Sequence, residues 1–102
     1  MRRQEHVVCR LSDLADGTAR VVDVAGTEVA VFRVGEDLFA IENSCPHRGG
    51  PLGHGDLRGR TVFCPVHAWP FDLVTGRCLE FPDVAVRRFA VRVRGDEVRV
   101  EL

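Results

Sequence analysis

The stretch Arg88-Phe89-Ala90-Val91-Arg92-Val93-Arg94-Gly95-Asp96-Glu97-Val98-Arg99-Val100-Glu101 sets the fold class. Phe89, Val91 and Val93 alternate with Arg88, Ala90, Arg92 and Arg94. After Gly95-Asp96, Val98 and Val100 alternate with Glu97, Arg99 and Glu101. A period of two with one apolar and one charged face is what a strand with one solvated side requires. Two such runs around Gly-Asp form a hairpin.

Working outward, the same pattern recurs. His6 to Leu11 reads as a strand, and Ser12 to Gly17 as a single helical turn closed by glycine. Ala19 to Val24 and Glu28 to Val34 flank Ala25-Gly26-Thr27, a second hairpin. Gly35-Glu36-Asp37 turns the chain into a strand from Leu38 to Asn43. Ser44 to Gly55 is a loop rich in Gly and Pro. Arg58-Gly59-Arg60 turns into Thr61-Val62-Phe63-Cys64, and Pro65 to Pro70 is another loop. Phe71 to Leu79 reads as two short strands around Thr75-Gly76. No long apolar pattern of helical period occurs. The expectation is one all-β domain over residues 1–102, with antiparallel sheets and loops gathered at one tip.

Composition narrows the function. With 102 residues, 45% of them apolar, the chain can bury one modest core. Its 14 basic and 15 acidic residues nearly cancel, and no basic stripe favours nucleic acid. No apolar run reaches the length of a membrane span. Met1-Arg2-Arg3 carries paired arginines without the apolar stretch of an export signal, so the expected location is the cytoplasm. There, cysteines serve metal binding more often than disulfides.

Two of the four cysteines sit beside histidines at ligand spacing: Cys45-Pro46-His47 and Cys64-Pro65-Val66-His67, with sixteen residues between His47 and Cys64. Each loop mixes one thiolate and one imidazole. That pattern fits one [2Fe-2S] cluster, with Cys45 and Cys64 on one iron and His47 and His67 on the other. The competing reading is a structural zinc site from the same four residues, although zinc modules usually pair Cys with Cys and His with His. Nucleophilic Cys–His catalysis fits less well, because two nearly equivalent pairs would be redundant. The prolines restrict both loops. Gly49 and Gly50 are expected to bring backbone close to the site and leave N–H groups free for cluster sulfides.

Cys45-Pro46-His47-Arg48-Gly49-Gly50-Pro51-Leu52, Cys64-Pro65-Val66-His67 and Trp69-x-Phe71-Asp72-Leu73-x-Thr75-Gly76 resemble the Rieske ferredoxin family over nearly the whole chain. The sequence is similar to ferredoxins of ring-hydroxylating dioxygenases and to the small subunit of NAD(P)H-dependent nitrite reductase. The Pro-rich first loop and the Trp-x-Phe-Asp-Leu run lean toward the latter. The resemblance implies stacked antiparallel sheets with a Rieske-type cluster at the tip. It also implies a one-electron carrier between a flavin- and NAD(P)H-dependent reductase and a terminal oxygenase, or a small subunit held by a nitrite reductase large subunit. High-potential members join the two loops by a disulfide; the matching positions here hold Gly50 and Val66. Those members also donate Ser and Tyr hydroxyls toward the cluster, where this chain has Trp69 and Phe71. Without such donors the expected potential lies at the low end of the Rieske range, about −150 mV. The resemblance also makes Phe81-Pro82 a third loop shielding the cluster.

No catalytic site of its own is expected. Hydroxylation needs a further iron held by two His and a carboxylate, and only His6 and His54 remain. Cys9 and Cys78 read as small buried apolar residues, and His54 as an exposed loop histidine. Trp69 fits equally under the second loop or on a partner-facing surface. Arg87, Arg88, Arg92 and Arg94 read as a solvated strand face.

Overall fold

Four consecutive residues, Val29, Ala30, Val31 and Phe32, are all buried. Successive side chains of a strand point to opposite faces, so both faces of this strand must be covered. The computed structural model, which describes residues 4–102, shows how. Its strands are β1 (Glu5–Arg10), β2 (Ala19–Val24), β3 (Thr27–Val34), β4 (Asp37–Glu42), β5 (Asp56–Arg58), β6 (Thr61–Phe63), β7 (Pro70–Asp72), β8 (Arg88–Phe89), β9 (Val91–Arg94) and β10 (Glu97–Glu101). They form three sheets in the orders β2-β3-β4-β8, β1-β10-β9 and β5-β6-β7. Every strand pairing within them is antiparallel. The arginine pair Arg2-Arg3 lies outside the described residues.

The four-stranded sheet is the middle layer. Val29 and Val31 pack on one side with Leu14, Ala40, Val98 and Val100. Ala30 and Phe32 pack on the other side with Ile41, Leu52, Val62, Phe71 and Leu73. Full burial of a Val or Phe side chain is worth about 1.5–3 kcal/mol, so β3 anchors both cores. The expected stacked, antiparallel, all-β architecture is the one observed. Both Cys45 and Cys64 belong to the second of these cores.

Turn chemistry sets the registers. Ala25 and Gly26 both have positive φ, 51° and 88°, and join β2 to β3 as a two-residue hairpin closed by the pair Val24–Thr27. Asp23 Oδ1 accepts the Gly26 N–H at 3.0 Å. Arg33 on β3 reaches back to the short 3-10 turn Leu11–Asp13, donating to the carbonyl of Leu14 at 2.9 Å.

Three strand expectations need correction. The run 88–94 is two strands: Arg88 and Phe89 pair with β4, while Val91–Arg94 pairs with β10. The chain changes sheet at Ala90, a step that leaves the alternation intact. Strand β5, over Asp56–Arg58, was not anticipated within the glycine-rich segment that carries it. After Thr75-Gly76 there is no second strand, only the bridges Phe71–Cys78 and Arg77–Ala85.

The four arginines singled out by sequence therefore do not form one face. Arg92 and Arg94 lie on β9 and pair with Glu5 at 3.4 and 3.5 Å. The guanidinium of Arg87 lies over the ring of Phe89. All four are exposed, so the solvated reading holds for each.

Candidate metal centre

Both loops are built by the same backbone device. In the first, the Cys45 N–H donates to Gly50 O at 2.9 Å and the Gly49 N–H donates to Cys45 O at 2.7 Å. In the second, the Cys64 N–H donates to Trp69 O at 2.9 Å and the Ala68 N–H donates to Cys64 O at 2.8 Å. The residue four after each cysteine takes positive φ, 71° at Gly49 and 57° at Ala68. Proline follows each cysteine, where no N–H is needed for the ring. Histidine stands two residues after Cys45 but three after Cys64.

Asn43 holds the first loop on the middle sheet. It is the one buried polar residue among those described. Its N–H donates to Glu28 O at 2.9 Å, and its Oδ1 accepts the Gly53 N–H at 2.6 Å. Sequence reading passed over Asn43. The only signal was an amide residue at the point where a strand gives way to a ligand loop.

The side chains separate by depth. Cys45 and Cys64 are 2% and 3% exposed, whereas His47 and His67 are solvent-exposed with ring centroids 5.1 Å apart. Gly50 closes the space between the loops. A Cβ there would lie 2.7 Å from Cys64 Sγ and 2.7 Å from Val66 Cγ2. Burial pushes the Cys45 thiol up; hydrogen bonding from the His47 and Arg48 backbone opposes this, while the adjoining Cys64 thiol adds to it. Loss of water, then the neighbouring charges of His67 and Arg48, hold His47 below its ordinary value.

These features fit a group that takes two thiolates below and two neutral imidazoles above. N–H groups at the Cys45 sulfur suit a thiolate. Among the described residues, no three His, Cys, Asp or Glu side chains gather about one point. The donor role expected of Gly49 is corrected: its N–H is spent on the Cys45 carbonyl.

Trp69 does not pack under its own loop alone. Its indole stacks on His47 of the other loop, with centroids 4.0 Å apart and planes 5° from parallel. Phe81 then meets Trp69 at 4.5 Å. The segment carrying Phe81-Pro82 thus stands against the site, where a third loop was expected. Cys78 is buried, and Cys9 is half-buried. His54 is exposed, yet it lines an open cleft of about 610 Å³ together with His67, Val66, Pro65 and Phe63.

Stacked antiparallel sheets ending in paired Cys/His loops define a class of small cluster-binding β domains. The family model of the Rieske [2Fe-2S] domain matches residues 4–92, and the chain belongs to that family. The ferredoxin component of the naphthalene 1,2-dioxygenase system of Pseudomonas aeruginosa is 32% identical over 93 residues, 90% of this chain and 89% of that protein. A chain in the complex of reduced oxygenase and oxidized ferredoxin in carbazole 1,9a-dioxygenase is 37% identical, with a TM-score of 0.87 over 94% of this chain and 91% of that one. A putative NADH-dependent nitrite reductase small subunit from Mycobacterium tuberculosis is 28% identical, with a TM-score of 0.88 over 98% and 96% of the two chains. No helix among the described residues is long and apolar enough to cross a membrane.

Proposed function

We propose that the protein is a one-electron carrier whose residues 1–102 form a single Rieske domain. Cys45 and Cys64 would hold one iron of the cluster, and His47 and His67 the other. The carrying observation is the buried thiol pair beneath an exposed imidazole pair. When bound, the cluster supplies one reversible electron at a potential between roughly −150 and +300 mV.

The chain's own residues do the rest. The two closed backbone rings present the cysteines inward and cost little ordering entropy on loading. Trp69 shields one face of His47 from water. Val66 and Gly50 offer no disulfide, and Trp69 and Phe71 offer no hydroxyl, which supports a potential near −150 mV. His67 and the edge of His47 face solvent, where a partner can approach. A flavin-dependent reductase would load the carrier, and a terminal oxygenase would unload it, as the ferredoxin relatives suggest. Four free cysteines suit the cytoplasm. The likeness to a nitrite reductase small subunit supports a second reading, a subunit held by a larger reductase.

Protein-film voltammetry with iron and zinc analysis tests the proposal. A reversible one-electron wave at low potential, with two irons per chain, is expected. Stoichiometric zinc and no wave would overturn it.

A further inference from the structure

Around the two exposed histidines the surface is apolar in a way a solvated tip does not need. Val66 is 47% exposed, Leu79 57% and Phe81 43%. Phe81, Trp69, His47 and His67 form a continuous run: Phe81 meets Trp69, Trp69 covers His47, and His47 stands beside His67. Carboxylates flank Phe81 on both sides in the segment Leu79-Glu80-Phe81-Pro82-Asp83. Glu80 and Asp83 are exposed, and neither enters any of the ion pairs among the described residues. Other exposed carboxylates are of both kinds: Asp37, Asp56 and Glu97 are ion-paired with Arg60, Arg58 and Arg99, whereas Asp13 and Glu36 are not, so what sets Glu80 and Asp83 apart is their place beside the exposed Phe81. Within the two ligand loops, residues 45–50 and 64–69, the only basic residue is Arg48, beside His47.

We propose that residues 79–83 are the recognition segment of the electron-transfer interface, and that the partner is a protein presenting an apolar depression rimmed by lysine or arginine. This inference rests on the carrier reading above. Charge complementarity argues for it. The chain's formal net charge is only −1, so long-range steering by the whole molecule is weak and the local field decides. Unpaired carboxylates beside exposed apolar side chains attract basic groups while the apolar centre supplies contact area. Arg48 repels the same groups, so a basic partner is turned toward the Phe81 side of His47. The orientation places the partner's cofactor against the stacked rings that end on His47.

The test uses the loaded protein and basic, lysine-rimmed mitochondrial cytochrome c as the probe. The dithionite-reduced protein gives one electron, the cytochrome haem passes from ferric to ferrous, and the protein is reoxidised. Calorimetric binding to ferric cytochrome c is the second readout. The variant is Glu80→Lys with Asp83→Lys; the control is Glu36→Lys in the β3–β4 turn. Glu36 lies beyond the far end of six-residue β4, about 20 Å from the first loop.

At low salt the double variant should transfer about tenfold slower or worse and bind correspondingly weaker, converging on wild type near 0.5 M salt, as local steering requires. Its spectrum and potential should match wild type, and Glu36→Lys should stay within about twofold of it. A double variant with wild-type rate and affinity at low salt overturns the recognition segment alone. So does a control that loses as much as the double variant. A wild-type protein that takes up no electron overturns the carrier reading, and this inference with it.

Discussion

The indole of Trp69, carried by the second loop, lies flat on the imidazole of His47, carried by the first, at 4.0 Å between ring centroids. One of the two exposed imidazoles is therefore covered on a face, while the other borders an open cleft. Two groups with the same proposed ligand role meet different solvent.

Trp69→Ala should cost about 2 kcal/mol, less than the roughly 3–5 kcal/mol of a fully buried aromatic, because Trp69 is half-buried. Water admitted to His47 should favour the reduced, more negative state and raise the potential by some tens of millivolts, on the order expected for altered exposure. Trp69→Phe keeps a stacking ring and should recover most of both. Denaturation and voltammetry on the three proteins check this. An unmoved potential in Trp69→Ala would show that the stack shields nothing.

Glycines 49 and 50 are adjacent but should respond oppositely. At Gly50 an added methyl meets Cys64 Sγ and Val66 Cγ2, so Gly50→Ala should lose most of its bound iron. At Gly49 a methyl meets only Ser44 Oγ at 3.7 Å, and the penalty is the positive φ. Gly49→Ala should cost about 1 kcal/mol and keep its iron. Iron analysis beside thermal unfolding separates the two cases.

Asn43→Ala leaves the Gly53 N–H without its acceptor and should cost about 1–3 kcal/mol. Asn43→Asp, which keeps an oxygen there, should cost less. Equal losses in the two variants would mean that packing, not this hydrogen bond, holds the first loop.

Stability should also decline in alkali through Cys9. Burial, partly opposed by Arg20, pushes its thiol up from the ordinary value of 9.0. The unfolded chain then ionises first. Above its thiol value it binds fewer protons than the folded chain, so unfolding becomes easier as pH rises. Below that value the group contributes nothing to the pH dependence. Cys9→Ala should flatten the decline above about pH 9, measured by denaturant unfolding of the loaded protein. Parallel curves for the two proteins would sink the assignment.

Much of this was legible in sequence where the cause is local. Ala25-Gly26 and Gly35-Glu36 announce their turns through backbone preference, and strands β2 to β4 follow between them. The two Cys/His pairs are legible as ligand candidates because ligand chemistry restricts residue type and spacing, and the structure sets their histidines side by side. What escaped notice depends on distant partners. Alternation cannot say to which sheet a strand belongs, so the crossing at Ala90 is invisible in it. The contact of Trp69 with His47 joins residues of different loops and has no local signature. Nor does the hydrogen bond from Gly53 to Asn43, which made a plain asparagine structurally specific.

The paired backbone rings around Cys45 and Cys64 have a bearing on how such a centre can change. Each ring closes through main-chain atoms of the cysteine and of the two residues four and five positions on. The residues between contribute no bond to the closure, and the histidine occupies a different one of them in each loop. The socket is thus specified separately from what is plugged into it. Donor identity can drift, or be redesigned, at those intervening positions without rebuilding the frame.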